Sequence, residues 1–230
     1  MKKALAIIVA VALLCIMAVG TTLSYFTDTD GDVNTMTVGK VGITQTINNQ
    51  TTGVVDTKLF PAVINGTTIN NAVEMNVVVT LDSNSEDAYV RTVYAFEMIT
   101  VDGQLVDPLK LEEKDGKEIA TIYCVADQAL KPTGVTITKG STTYVIYVSA
   151  TAKLTAGETL ETLDQIYLGS HVGNEFYDAV GADGEYEVLV LSQAVQVQGF
   201  GNDAAAAMTA AFGAVDATNA TKWFNEMPTP

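Results

Sequence analysis

The sequence predicts an all-β chain built as an antiparallel β-sandwich, on three observations. Apolar and polar residues alternate over long stretches. Val73, Met75, Val77, Val79 and Leu81 against Glu74, Asn76, Thr80 and Asp82 show the period-two pattern of a strand with one buried and one wet face. Turn dipeptides separate such stretches: Asp102-Gly103, Asp115-Gly116, Lys139-Gly140, Ala156-Gly157 and Asp183-Gly184. The stretches are rich in threonine and valine, and many short strands with regular turns argue for a sandwich rather than an α/β fold.

The elements follow in chain order. Met1-Lys2-Lys3 is a positive start, Ala4 to Gly20 is an uncharged apolar run that predicts an N-terminal signal helix, and Thr21 to Ser24 adds small polar residues before an acidic segment. This is the layout of a secretory signal peptide, its lysines held in the cytoplasm. Thr22 and Ser24 are the small residues that a signal peptidase reads, which places cleavage between Ser24 and Tyr25. The alternative is an uncleaved anchor, because Ala4 to Phe26 carries no charge and a bilayer crossing takes roughly 20 apolar residues. Both readings put the bulk of the chain outside the cytoplasm, with the membrane met only through this segment.

Residues 25–48 read as an N-terminal strand segment, 49–200 as the sandwich, and 201–230 as a short helix and tail. Within the first, Asn34 to Ile47 is strand-like. Val41, Ile43 and Ile47 share one face, and Gly39 and Gly42 interrupt the other. Beyond Val73 to Leu81 the period-two pattern returns in Ala88 to Val101, Ile119 to Ala126, Thr143 to Leu154, Leu160 to Leu168 and Tyr186 to Val197. One Ala-rich helix is predicted over Ala204 to Phe212, capped by Asn202 or Asp203 and ended by Gly213. The tail has one apolar pair, Trp223-Phe224, and does not follow the layout of a sortase substrate. Two Thr-Ile-Asn-Asn tetrapeptides, from Thr46 and Thr68, are too short to make a repeat.

Charge and cysteine content bound the function. The formal charge of −15 becomes −17 once Lys2 and Lys3 leave with the signal, and a surface that acidic repels nucleic acid and anionic lipid. Cys15 lies inside the signal, so Cys124 is alone in the remaining chain and reads as a small buried hydrophobe in a strand. Stability outside the cell then comes from packing rather than from an intramolecular disulfide.

Catalytic devices are not visible. A zincin needs two histidines one helical turn apart and a glutamate base, whereas this chain has one histidine, His171, between Gly169-Ser170 and Gly173. No Gly-x-Ser-x-Gly elbow accompanies Ser170, and Cys124 has no positive neighbour to hold a thiolate. No catalytic residue and no cofactor is expected. Asp28, Asp30 and Asp32 around Gly31 look like the opening of a calcium loop, but Val33 and Gly39 stand where an EF-hand needs Gly and Glu. They read as a solvated acidic spacer, with weak calcium binding left open. Arg91 is the only arginine, on one strand face with Tyr89 and Val93. It orders a carboxylate from a neighbouring strand or subunit, or forms a surface pair worth little.

The junction Thr22-Leu23-Ser24-Tyr25-Phe26-Thr27-Asp28, followed by Asn34-Thr35-Met36-Thr37-Val38-Gly39, resembles the start of the TasA/camelysin family. Asp87-Ala88-Tyr89-Val90-Arg91 is similar to a strand pattern common in those proteins, and Gln193 to Gln196 running into Gly199-Phe200 and the Ala-rich helix resembles the close of many of them. The resemblance touches about a third of the chain. It implies cleavage by a SipW-type signal peptidase, a jelly-roll fold, and a non-enzymatic subunit of an extracellular matrix or biofilm fibre, with itself or related matrix subunits as partners.

The resemblance further implies assembly by an N-terminal strand donated to the next molecule. Read from the residues, Val41, Ile43 and Ile47 form either a donor face that buries little in its own subunit or an ordinary first strand. Two other functions stay open beside the matrix subunit: a surface binding module for calcium or glycan, and a secreted metalloprotease.

Overall fold

The computed structural model of the chain describes residues 27–30, 41–51, 59–65, 68–114, 117–127, 129–173, 176, 186–200 and 202–227, with 27–30, 114, 117 and 118 described by backbone alone. The signal segment, Ser24, Tyr25 and Asp32 lie outside the described residues, as do the turns at Asp115-Gly116 and Asp183-Gly184.

In chain order the strands are β1 (Thr27–Asp30), β2 (Ile43–Ile47), β3 (Val63–Asn65), β4 (Thr68–Asn70), β5 (Val73–Leu81), β6 (Ala88–Glu97), β7 (Ile99–Val101), β8 (Gln104–Val106), β9 (Glu112–Lys114), β10 (Lys117–Ile119), β11 (Ile122–Val125), β12 (Lys131–Lys139), β13 (Thr142–Val148), β14 (Ala152–Leu154), β15 (Thr159–Leu168) and β16 (Val188–Gln196). Two helices follow, α1 (Ala204–Phe212) and α2 (Ala217–Asn225).

The larger sheet runs β1-β16-β6-β13-β12, with β14 pairing the start of β6. The smaller runs β11-β15-β5-β2. Every pairing within them is antiparallel, as the turn spacing predicts. The two sheets pack face to face over two apolar clusters. One joins Val73, Met75 and Val77 of β5 to Tyr94 and Phe96 of β6. The other joins Val79 and Leu81 to Ala88 and Val90. Burial along β5 alternates strictly, so the strand with the clearest pattern has the face that the pattern assigns.

β6 departs from its expected wet face: all ten of its residues are buried. The reason is a helical layer on the outer face of the larger sheet. α1 sets Ala207 and Met208 against Tyr89 and Val195, and α2 sets Ala220, Trp223 and Phe224 against Val93, Ala95, Tyr144 and Leu191. The sequence predicts one short helix, and two are present. The Asp203 side chain accepts from the Ala206 N–H at 2.9 Å to open α1, and Gly213 closes it with φ 82°. α2 starts at Asp216, whose carboxylate accepts from the Asn219 N–H at 2.8 Å. That is an aspartate N-cap of the same kind, and the Trp223-Phe224 pair is the apolar face of α2. β12 is a further element that the alternation does not predict, because Pro132 and Gly134 interrupt its pattern. The register shifts between Pro132 and Thr136, with Gly134 at φ 71°, which is a bulge of the kind glycine permits.

Candidate functional site

The N-terminal segment divides between the two sheets. β1 forms the edge of the larger sheet, with Thr27 opposite Val195, Asp28 opposite Ala194, Thr29 opposite Gln193 and Asp30 opposite Ser192. The backbone of Asp28 and Asp30 therefore sits in a paired edge strand, because the edge of β16 supplies its hydrogen-bond partners. Among the described residues no group of three or more His, Cys, Asp or Glu side chains is placed to hold a metal ion.

β2 forms the edge of the smaller sheet on β5, with Ile43 opposite Leu81 and Ile47 opposite Val77. The expectation that Val41, Ile43 and Ile47 bury little in their own subunit is overturned. Val41 is 0% and Ile43 3% exposed, both in the cluster with Val79, Leu81 and Val90, and Ile47 packs on the other cluster. The backbone on either side is fixed as well. The Gly42 N–H donates to Ser85 Oγ at 2.8 Å, and the Asp82 N–H donates to the Gly42 carbonyl at 2.9 Å. Asn48, left-handed at φ 52°, donates from its side chain to the Glu74 carbonyl and accepts from the Asn76 N–H, both at 2.9 Å. A single face of three apolar residues cannot distinguish a donor strand from a core strand, and here it belongs to the core.

Between the two apolar clusters lies a belt of buried polar side chains. Ser192 on β16 donates to Gln45 Oε1 on β2 at 2.6 Å and accepts from the Thr92 hydroxyl on β6 at 3.0 Å. Thr162 on β15 reaches Thr92 at 3.3 Å and the Val77 carbonyl at 3.4 Å, and it pairs with the Tyr94 hydroxyl at 2.5 Å. The belt joins β2, β5, β6, β15 and β16 across the sandwich. Desolvation raises the Tyr94 hydroxyl far above the ordinary tyrosine value, more than the Thr162 bond lowers it. Sequence reasoning missed these residues. The available signal was polar residues, Thr92 and Ser192, at positions where the alternation asks for apolar ones.

On the opposite face of β6 and β16, beneath the helices, Arg91 and Gln193 stand directly opposite each other. Arg91 is 8% and Gln193 0% exposed, so the surface-pair reading of Arg91 is overturned by the helical layer above it. Arg91 Nε–H donates to Gln193 Oε1 at 2.8 Å, and its guanidinium lies 5.6 Å from the centre of the Trp223 ring, within cation–π range. Arg91 Nη2 and Gln193 Nε2 are buried without a hydrogen-bond partner. Burial lowers the guanidinium pKa to about 10.

His171 lies in an exposed turn at the rim of an open cleft of about 330 Å³, which Ile99, Asp107, Lys110, Glu112, Val172 and Phe176 also line. Ser170 is its exposed neighbour, and no serine–histidine hydrogen bond is formed there. Cys124 is half-buried against the larger core cluster, and burial pushes its thiol up to about 12, opposite to what a reactive thiolate requires. Tyr147 donates to Asp107 at 2.9 Å and Tyr144 donates to Glu187. Desolvation first, and then the neighbouring carboxylate, raises both phenols.

No family model matches the chain, and neither a curated protein nor a solved structure matches it.

Proposed function

We propose that the chain is an exported, non-enzymatic structural subunit of an extracellular matrix or cell surface, a jelly-roll-like sandwich that assembles by exchanging β1. The observation that carries this reading is the place of β1. It begins at the third residue after the Ser24–Tyr25 junction and, among the described residues, forms the outermost strand of the larger sheet, paired on one side only. A terminal edge strand of this kind can leave its own sheet and add to the same edge of another copy, where the identical main-chain hydrogen bonds form again. The resemblance of the junction to TasA/camelysin proteins agrees with this reading. The donor role then falls to residues from Tyr25 to Asp30, and Val41, Ile43 and Ile47 stay in the recipient core.

Electron microscopy and sedimentation of the chain beginning at Tyr25 test the proposal. Fibres or large oligomers are expected, and removal of Tyr25 to Asp30 is expected to leave a folded monomer. A monomer that remains monomeric at high concentration and binds calcium or a glycan saturably would favour the binding module. Peptide cleavage lost on chelation would favour the protease.

A further inference from the structure

We propose that the seam between α1 and α2 binds a small monovalent anion, of the chloride or formate class, on the free N–H groups of Arg91 and Gln193. The two side chains are fixed by their strands, directly opposite each other in the β6–β16 register. The single bond between them, Arg91 Nε–H to Gln193 Oε1 at 2.8 Å, also sets the orientation of the amide. Because Oε1 must face the guanidinium, Nε2 can only present its protons elsewhere. Nη2 lies on the same edge of the guanidinium as Nε, the edge that receives carboxylates in bidentate pairs. Two N–H donors thus flank one hydrogen bond, and neither has an acceptor.

Buried donors in native proteins are nearly always satisfied, and a buried charge without a counter-charge is costly. Arg91 is the only arginine of a chain with formal charge −15, yet among the described residues it forms no ion pair. The lysine pairs among the described residues, Lys153–Asp87 and Lys222–Glu226, lie at the surface. A water molecule could accept from both N–H groups but would leave the guanidinium charge uncompensated. An anion does both. Its size is limited by the side chains that close the seam: Trp223 over the guanidinium, with Tyr89 and Val93 of the same strand face buried beside it.

The test is the thermal midpoint of the full chain as sodium gluconate is replaced by sodium chloride, or by sodium formate, at constant sodium. A ligand held by the folded state alone raises Tm with its concentration, and the expected rise is about 2–4 °C. Gln193→Glu places a carboxylate oxygen where the unpaired amide nitrogen stands and supplies Arg91 with its own counter-ion. In this variant the anion dependence should vanish, and Tm in gluconate should reach at least the wild-type value in chloride. Arg91→Met should also abolish the dependence, since it removes the charge that the anion neutralises. No chloride or formate effect in the wild type would overturn the proposal in favour of an ordered water. An equal rise in the wild type and both variants would overturn it as a general salt effect.

Discussion

β1 and β2 come from one short N-terminal stretch and both end as edge strands, one in each sheet. β2 places Ile43 in an apolar cluster, places Gln45 in the buried polar belt, and is clamped at both ends by Gly42 and Asn48. β1 is attached by four rungs of main-chain pairing to β16. Side chains that fill a cavity fit one place, whereas main-chain hydrogen bonds fit any free strand edge. β2 is therefore anchored in its own subunit by its inward side chains, while the main-chain ladder of β1 is of a kind that any free strand edge can offer.

The largest expected effect comes from breaking the anchorage of β2. Ile43→Asp buries an unpaired carboxylate among Val41, Val79, Leu81 and Val90 and should cost about 4 kcal/mol or more, a large part of the roughly 5–15 kcal/mol that stabilises a typical domain. Chemical denaturation measures it. A folded Ile43→Asp chain that merely failed to assemble would return the donor role to this face.

The polar belt should show a smaller effect. Ser192→Ala removes the donor to Gln45 and the partner of Thr92, leaving buried polar atoms unsatisfied, at about 1–3 kcal/mol. Urea midpoints of the wild type and the variant give the difference. A loss below about 0.5 kcal/mol would mean that the belt does not tie β2 to the larger sheet.

A third measurement uses pH. The Cys124 thiol is raised from its ordinary 9.0 to about 12 in the folded chain. The stability that its burial contributes is therefore complete below pH 9 and lost as pH rises through 9 toward 12. The unfolded state sheds its proton first, at about 1.4 kcal/mol per pH unit. Raised phenols at Tyr94 and Tyr147 add to the loss above pH 10. Between pH 9 and 10, Cys124→Ala should lose less stability than the wild type, as followed by thermal unfolding. Parallel curves would show that this thiol is not held protonated.

Much of the fold was legible because one rule, alternation, governs strands with one covered face: β5 and β15 lie where the pattern places them. The rule fails where both faces are covered. Nothing in Ala88 to Glu97 announces the helices above it, since Arg91 looks like a wet-face residue until Trp223 of α2 is in place over it. The two Thr-Ile-Asn-Asn tetrapeptides carried a signal that their shortness hid. Each ends a short strand in left-handed asparagines: Asn48 and Asn49 at φ 52° and 63°, and Asn71 at φ 66°, a conformation that asparagine tolerates better than most residues. The candidate site was legible only as a segment. Sequence marks Asn34 to Ile47 as a strand with one apolar face, but which of its neighbours fills that face is a tertiary fact.

The smallest expected effect on stability is also the sharpest test of the comparison. Deleting Tyr25 to Asp30 removes four rungs of the ladder, at a net of about 0.5–1.5 kcal/mol for each hydrogen bond. It also releases the backbone entropy of the ordered residues, about 1–2 kcal/mol each. The two terms are of similar size and opposite sign, and water can solvate the uncovered edge of β16. The deleted chain should therefore melt within a few degrees of the wild type and closer to it than Ser192→Ala. The bare edge should then accept the missing strand from solution, so that a synthetic peptide of residues 25–31 binds saturably and blocks the addition of intact subunits. If the deletion instead unfolds the domain, β1 is anchored no less firmly than β2, and assembly through strand exchange fails with it.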